Sequence, residues 1–256
     1  MLTTRDPAVQ ARINLHAVLG SLPTLVRTVP RARAILQRVE RPTTLHVLVA
    51  GGPRKTFAVT PTGITAGRTV PGTRVALLCA SPGHFNAVIQ GRSTALPVAG
   101  PAGVRFLRTV FQPLAELLGA VLLPEACSDD LLPESVRAQL LLAVALAATE
   151  QVANHDRSGR YTCGLLSDGC LAVEVGPDTV HHVAVREHRL HVVQPSATPP
   201  RAALRFADLD VAGAVLSGRV SAMACLGDGR VALRGFIPLI DGFSRILDRV
   251  GFYLRK

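Results

Sequence analysis

Aromatic residues are scarce in this sequence, and tryptophan is absent altogether. Phenylalanine, tyrosine and tryptophan together make up 4% of the chain. Surfaces that bind carbohydrates or stack nucleic-acid bases depend on aromatic rings, so the composition argues against both kinds of surface. By contrast, apolar residues make up 48% of the chain, which is enough for a folded core and excludes a disordered protein.

Cysteine is also rare, and the five cysteines form no C-x-x-C pair. An odd number without paired spacing favours reduced thiols in the cytoplasm over a disulfide framework. The stretch at 1–14, MLTTRDPAVQARIN, is charged and has no apolar core of the kind found in signal peptides. The longest apolar run, at 138–148, is too short to span a bilayer. We therefore expect a soluble, cytoplasmic protein.

Lysine is almost missing, so the positive charge of the chain is carried by arginine. Residues 1–127 contain 14 basic and 4 acidic side chains, a net charge of +10. Residues 128–256 contain 14 of each, a net charge of zero. The whole basic excess therefore lies in the first half, which predicts either an anionic partner for that half or a solvated basic face.

The chain repeats part of its own sequence. FNAVIQGRSTAL at 85–96 and AGAVLSGRVSAM at 212–223 share residues at a constant spacing of 127 positions. Over the wider windows 77–92 and 204–219, 6 of 16 positions are identical. This spacing is half the length of the chain, so the sequence predicts two copies of one domain, with the boundary near 123–134. The predicted domains are 1–127 and 128–256.

Each copy has the same local signals in the same order. Ser81 and Asp208 are side chains that cap a helix start, and Gly91 and Gly218 lie where a helix end favours glycine. A glycine turn at 227–229 then predicts a hairpin in the second copy, with a looser equivalent in the first. An amphipathic helix closes each copy.

Strand-like segments precede the capped helix in each copy. We match TLHVLVAGGPRKTFAVTP at 44–61 with YTCGLLSDGCLAVEVGP at 161–177 as hairpins, and expect a further hairpin in VHHVAVREHRLHVV at 180–193. Antiparallel strands with helices at the ends predict an α+β fold.

Residues 200–247 combine several features in a set order. A strand at 203–206 enters an acid-capped helix, a Gly-Arg pair follows at 218–219, and a glycine-flanked strand at 229–235 precedes the last helix. This order resembles the sterol carrier protein type-two family, and 75–122 carries a weaker copy. The resemblance implies two tandem domains, each a mixed sheet of roughly five strands covered by helices. It also implies an apolar cavity between the sheet and the last helix that takes lipids.

The resemblance also implies which apolar side chains would line such a cavity. In the second copy they are Phe206, Leu216, Met223, Phe236, Ile240, Phe243 and Leu247. In the first copy they are Phe85, Ile89, Phe106, Leu114 and Leu118. The alternative is that these residues form a packed core. An empty void of ~300 Å³ would cost on the order of 7 kcal/mol, so the space should hold either side chains or a ligand.

The segment VRTVPRARAILQRVER at 26–41 is the strongest partner signal in the first half. Arg27, Arg31 and Arg38 accompany an apolar stripe that includes Leu25 and Val29. The pattern predicts docking to an anionic membrane surface or an acidic protein, or alternatively a solvated arginine face on a core helix. No nucleic-acid reading module accompanies the charge, so nucleic acid is disfavoured.

Catalytic and metal-binding motifs do not emerge from the sequence. With a turn at Arg186-Glu187, His182 and His191 would be cross-strand neighbours, but two imidazoles without a third ligand make a poor zinc site. AGGPRKT at 50–56 has arginine where a phosphate loop needs glycine before its lysine. We therefore expect no catalytic residues, no metal and no cofactor.

These observations predict a non-enzymatic carrier of a lipid-like apolar ligand such as a fatty acid, a sterol-like molecule or an isoprenoid. The alternative is a protein-interaction module whose cavities are closed by side chains.

Overall fold

The computed structural model describes residues 4–122, 133–194 and 199–254. Contacts divide the chain into two compact units, one of Asp6–Val136 and the other of Arg137–Lys256 with Met1–Arg5. We call them the N-terminal and C-terminal units. The predicted boundary between residues 127 and 128 lies outside the described residues.

Along the chain, the N-terminal unit begins with helices and continues with four strands. A helix, a fifth strand and the closing helices follow. Its α-helices are α1 (Pro7–Arg12), α2 (Leu22–Thr28), α3 (Pro30–Leu36), α4 (Pro82–Ile89), α5 (Pro101–Phe106) and α6 (Gln112–Leu122). A π-helical segment (Ile13–Val18) and a 3₁₀ turn (Leu19–Ser21) link α1 to α2, and a second π-helical segment (Leu107–Phe111) links α5 to α6. Its strands are β1 (Thr43–Val49), β2 (Arg54–Thr60), β3 (Gly63–Ala66), β4 (Thr73–Cys79) and β5 (Leu96–Ala99).

The C-terminal unit has a similar succession of elements, with an additional helix before its last strand. Its helices are α7 (Glu134–His155), α8 (Arg157–Gly164), α9 (Leu209–Leu216), α10 (Ala222–Gly227) and α11 (Ile237–Leu254). Its strands are β6 (Gly169–Val175), β7 (Thr179–Arg186), β8 (Arg189–Val193), β9 (Ala202–Phe206) and β10 (Val231–Gly235).

Both sheets have the same strand order. The N-terminal sheet runs β3-β2-β1-β4-β5, and the C-terminal sheet, counted from β8, runs β8-β7-β6-β9-β10. In each, the central pair is parallel: Leu45 of β1 lies beside Val75 of β4, and Leu171 of β6 beside Ala202 of β9. The other described pairs are antiparallel. The predicted α+β class, with two mixed five-stranded sheets each flanked by helices, is confirmed.

The hairpin predicted around Gly227-Asp228-Gly229 is wrong. Ala222–Gly227 form helix α10, and only the segment after the turn is a strand. In the first copy, likewise, β5 runs directly into helix α5 at Pro101. A short apolar run such as 220–226 fits either a strand or a helix, and periodicity alone does not separate them.

The match between 44–61 and 161–177 is also wrong. Tyr161 lies in helix α8, and β6 begins only at Gly169. The counterpart of the β1–β2 hairpin is β6–β7, so β7–β8 is the equivalent of β2–β3 rather than an additional hairpin.

The closing helix of the N-terminal unit lies close against its sheet because of Gly103. A Cβ at this position would lie 2.8 Å from Ala99 Cβ and 2.9 Å from Val75 Cγ2. The absence of a side chain therefore brings α5 directly onto β4 and β5. A buried amide pair links the first π-helical segment to α4, where Asn14 Nδ2 donates to Asn86 Oδ1 at 3.0 Å.

A buried carboxylate organises the helices of the C-terminal unit. Asp156 is 3% exposed and caps helix α8, with Oδ1 accepting from the backbone N–H groups of Ser158 and Gly159 at 2.9 and 3.0 Å. Its Oδ2 accepts from the Tyr253 hydroxyl at 2.8 Å and from Arg249 Nη2 at 3.1 Å. The last turns of α11 are therefore held at the junction between α7 and α8.

The charge on Asp156 is stabilised by its donors. Burial raises the pKa of Asp156, but the hydrogen bonds from Arg249, Gly159 and Tyr253 and the charge of Arg249 together hold it below the ordinary aspartate value. The Arg249 guanidinium also lies over the ring of Phe252, 4.6 Å from its centroid.

Helix α7 is long and apolar enough to cross a membrane by length and composition. The uninterrupted apolar run at 138–148 is only part of this helix, which extends over 22 residues. Within the structure, 56% of its most apolar window is buried, as in a core helix.

We expect Asp156→Asn to destabilise the C-terminal unit by about 3 kcal/mol, because it leaves the Arg249 charge buried without its counter-ion. Denaturant unfolding of the full chain measures this loss. The control is Asp241→Asn, which breaks the exposed Asp241–Arg245 pair and should cost less than about 0.5 kcal/mol. Equal effects of the two variants would contradict the role assigned to Asp156.

The lowered pKa of Asp156 predicts a specific loss of stability in acid. The stabilisation from its ionised form is fully present above the unfolded-state pKa of about 4 and is lost as the pH falls through the lower, folded-state pKa. Below about pH 4 the unfolding free energy of the wild type should therefore fall more steeply than that of Asp156→Asn. Parallel pH profiles would show that Asp156 is not preferentially ionised in the folded state.

Candidate ligand-binding site

The predicted lining residues of the C-terminal unit occupy three different environments. Phe206, Ile240 and Phe243 are almost fully buried. Leu216 and Leu247 are half-buried. Phe236 is 37% exposed and Met223 is 74% exposed. The predicted set therefore spans the core and the surface rather than the wall of one closed cavity.

In the N-terminal unit most of the predicted lining is packed core. Phe85, Phe106, Leu114 and Leu118 are buried, whereas Ile89 is partly exposed at the end of α4. This is the alternative that the sequence left open, in which side chains fill the space between the sheet and the closing helix.

Large apolar side chains are exposed together where β10 meets α11. Leu233 of β10, Phe236 after it, and Ile237 at the start of α11 are each more than a third exposed. Helix α10, which carries Met223, packs against β10. We call these four residues the apolar margin.

The apolar margin is continuous with the core of the C-terminal unit. Leu233 is directly opposite Leu204 of β9, and Val231 is opposite Phe206. Side chains of directly opposed residues lie on the same face of a sheet, so Leu233 extends the face that carries buried Leu204 and Phe206. Helix α11 packs against β9 and β10. Exposed apolar surface at the edge of the sheet therefore leads towards the sheet–helix interface.

A cation borders the apolar margin. The Arg201 guanidinium lies over the Phe236 ring, 4.7 Å from its centroid, and its Nη1 donates to the carbonyl of Asp168 at 2.6 Å. The backbone N–H of Phe236 in turn donates to the Arg201 carbonyl at 2.9 Å. A positive charge is thus held at the entrance to the margin.

Sequence reasoning missed Leu233, Ile237 and Arg201. The signal available for Leu233 was the glycine-flanked strand at 229–235, which indicates a strand but not its place in the sheet, and Ile237 follows as the first residue of α11. Their exposure depends on β10 being the last strand of the sheet, which only the pairing shows. Arg201 has no motif, because its position beside Phe236 follows from the β9–β10 register.

The basic residues predicted for docking are exposed, but their apolar neighbours are not. Arg27, Arg31 and Arg38 face solvent, whereas Leu25 and Val29 are fully buried. The apolar stripe therefore packs inside the N-terminal unit and is not free to insert into a membrane. Docking to an anionic surface stays a prediction that rests on the arginines alone.

Two clefts lie on the N-terminal unit. One, of about 370 Å³, is lined in part by Arg38, Arg41, Arg105 and Phe106, the last of which belongs to the predicted lining. The other, of about 530 Å³, is at the carboxyl ends of β1 and β4 and is mainly apolar.

The histidine pairing predicted from the sequence is wrong. The turn between β7 and β8 is formed by Glu187 and His188, which both have positive φ, rather than by Arg186-Glu187. This one-residue shift places His191 opposite Ala184 instead of His182. Among the described residues, no group of three or more His, Cys, Asp or Glu side chains could hold a metal ion.

The structure brings one cysteine close to a histidine. Cys170 Sγ and His182 Nδ1 are 3.7 Å apart on the paired strands β6 and β7. Burial raises the pKa of the Cys170 thiol, and it does the same for Cys79 and Cys163. These groups are therefore thiols at neutral pH, not the thiolates that act as nucleophiles.

No protein-family model and no curated protein matches this sequence. Among solved structures, the chain is similar to one described as UbiJ-SCP2 ubiquinone synthesis protein, with 18% identity and a TM-score of 0.33. The alignment covers 96% of that protein and 42% of this chain, so its length corresponds to less than half of the chain.

The burial of the predicted lining residues leads to a test by substitution. Phe243→Ala should cost about 3–5 kcal/mol of unfolding free energy, because it opens a cavity in packed core. Phe236→Ala should cost at most about 1.5 kcal/mol, because its ring is already partly exposed. Denaturant unfolding of both variants measures the difference, and equal losses would contradict the division into core and margin.

Proposed function

We propose that this chain is a non-enzymatic, cytoplasmic binder or carrier of a lipid-like apolar molecule, such as a fatty acid, a sterol-like molecule or an isoprenoid. The ligand site is the sheet–helix interface of the C-terminal unit, and its entrance is the apolar margin. One observation supports this most directly: exposed Leu233 lies on a sheet face whose next residues, Leu204 and Phe206, are buried core.

The energetics of such a site favour weak and unselective binding. Burying eight methylenes of an apolar chain contributes roughly 6 kcal/mol before the cost of ordering the ligand. Covering the apolar margin adds to this, because its side chains lose contact with water. Such an affinity suits a protein that must also release its ligand.

Helix α11 acts as the lid in this proposal. Its last turns are held by the buried Asp156–Arg249–Tyr253 cluster. In its second turn, Gly242 lies so close to Leu166 that a side chain there would collide with it. Its first turn has exposed Ile237 and lies beside the apolar margin, so a ligand is admitted by opening of this turn while the helix from Gly242 onward stays in place.

Arg201 gives the site a preference for a negatively charged end group. A carboxylate at the end of an apolar chain would lie beside the guanidinium while the chain enters at Phe236. An ion pair at an exposed position contributes little affinity, so Arg201 orients the ligand rather than retaining it.

The N-terminal unit supports a second candidate function. Its predicted lining residues Phe85, Phe106, Leu114 and Leu118 are packed core. A closed interior favours the alternative in which this unit acts as a protein-interaction module.

Ligand binding can be tested with a delipidated full-length chain and a fluorescent dansyl-labelled long-chain fatty acid. The wild type should bind the probe saturably, and Phe236→Ser with Ile237→Ser should weaken binding about tenfold or more, a loss of about 1.4 kcal/mol. The matched control is Tyr161→Ser with Leu165→Ser, two exposed large side chains of the same unit, one on helix α8 and one directly after it, which should leave binding unchanged.

Two outcomes would contradict the proposal. The first is no saturable binding by a folded wild type, which would favour the interaction module. The second is equal loss in the margin and control variants, which would show adsorption to any apolar surface. Native mass spectrometry of the chain purified from its source provides an independent check, since a carrier should retain an apolar molecule.

A further inference from the structure

We propose that the N-terminal unit binds a phosphate-bearing ligand in the cleft between the end of α3 and helix α5. This inference is independent of the apolar ligand site, which belongs to the other unit. It rests on the shape of the cleft, on the arginines that surround it and on the absence of acidic partners for two of them.

The cleft has the dimensions of a small-ligand site. Its volume is about 370 Å³, and it lies between the segment that follows α3, the starts of β1 and β4, and the α5 helix with its π-helical continuation. Small-molecule pockets in proteins typically have volumes of roughly 300–1,000 Å³. Val39, Phe106 and Val110 are buried and form a rigid apolar floor.

Three arginines surround this floor. Arg38 and Arg41 come from the segment after α3, and Arg105 comes from α5 on the other side of the cleft. All three are exposed, so their guanidinium groups are hydrated in the absence of a ligand. The planar guanidinium donates two parallel hydrogen bonds to a phosphate, which makes arginine the side chain best suited to this anion.

One carboxylate, Glu40, also lines the cleft, and Arg105 neutralises it. Arg105 Nη2 lies 2.8 Å from Glu40 Oε1. Within the described residues, Arg38 and Arg41 form no ion pair with a carboxylate. The cleft therefore keeps two positive charges that are not balanced locally, which matches the double negative charge of a phosphate monoester at neutral pH.

Hydroxyl groups complete the site. Thr73, at the start of β4, is half-buried at the cleft, and its hydroxyl makes no hydrogen bond to another described residue. It is available to donate to a phosphate oxygen. Thr43 is buried beside it and donates to the Arg41 carbonyl at 3.0 Å, which fixes the backbone that carries Arg41.

Glu40 offers a test in which binding should improve. Glu40→Gln removes the competing carboxylate and releases Arg105, so affinity for phosphate should increase several-fold. Arg38→Gln with Arg41→Gln should weaken binding by about tenfold or more. The matched control is Arg33→Gln with Arg68→Gln, which removes the same charge from exposed positions of the N-terminal unit outside the cleft.

The measurements use the full chain with two sets of probes. Isothermal titration with inorganic phosphate and with glycerol phosphate tests a soluble phosphate ligand. Flotation with phosphatidylcholine vesicles, with and without phosphatidic acid, tests a lipid head group. Saturable binding that is lost in the cleft variant and kept in the control supports the proposal, and the probe set in which it occurs identifies the source of the phosphate.

The proposal is overturned if neither probe set shows binding. It is also overturned if the cleft and control variants lose binding equally, because the effect would then come from the overall charge of the N-terminal unit. Unchanged or weaker binding by Glu40→Gln would contradict the assignment of Arg105. Circular dichroism of each variant shows that the N-terminal unit remains folded.

Discussion

The C-terminal unit depends on one buried carboxylate, that of Asp156. An ionised carboxylate that is buried costs several kcal/mol unless donors surround it, and here Arg249, Tyr253 and two backbone N–H groups do so. Because these donors belong to α8 and α11, neither helix can shift at this end without exposing or unpairing a charge. In the proposed opening, movement of α11 is therefore confined to its first turn, which lies beside the apolar margin. A constraint on stability thus also determines where the proposed ligand site can open.

The N-terminal unit keeps its closing helix in place in another way, although its sheet has the same strand order. Gly103 allows direct contact of α5 with Val75 and Ala99, and the residues that follow fill the interior. The start of this helix therefore packs directly on the sheet. Two copies of one topology thus use different contacts to hold the closing helix on the sheet.

Much of the architecture could be predicted from the sequence, because the signals were local or repeated. The helix caps at Ser81 and Asp208 are observed as bonds to His84 and Val211, and the repeated segments form the equivalent helices α4 and α9. The errors arose in two ways. Short segments such as 220–226 had no strong periodicity, and between β7 and β8 a turn at Glu187-His188, one residue later than predicted, changed the register of the two strands. The apolar margin was only half anticipated. Phe236 and Met223 were in the predicted set, but Leu233 and Arg201 follow from the order and register of β10, which no local pattern encodes.

The charge asymmetry of the sequence has a physical counterpart in the two proposed sites. Backbone hydrogen bonds and buried side chains maintain the shared topology, so residues at the sheet edges and helix ends can diverge without loss of the fold. In the N-terminal unit this divergence places Arg38 and Arg41 beside a cleft, whereas in the C-terminal unit it places Leu233 and Phe236 at an edge. Acidic residues balance the basic ones in the second half and do not in the first, so only the first half retains a long-range attraction for anions. A duplicated fold would in this way combine an anion site with an apolar site, and neither unit would have to accommodate both chemistries in one interior.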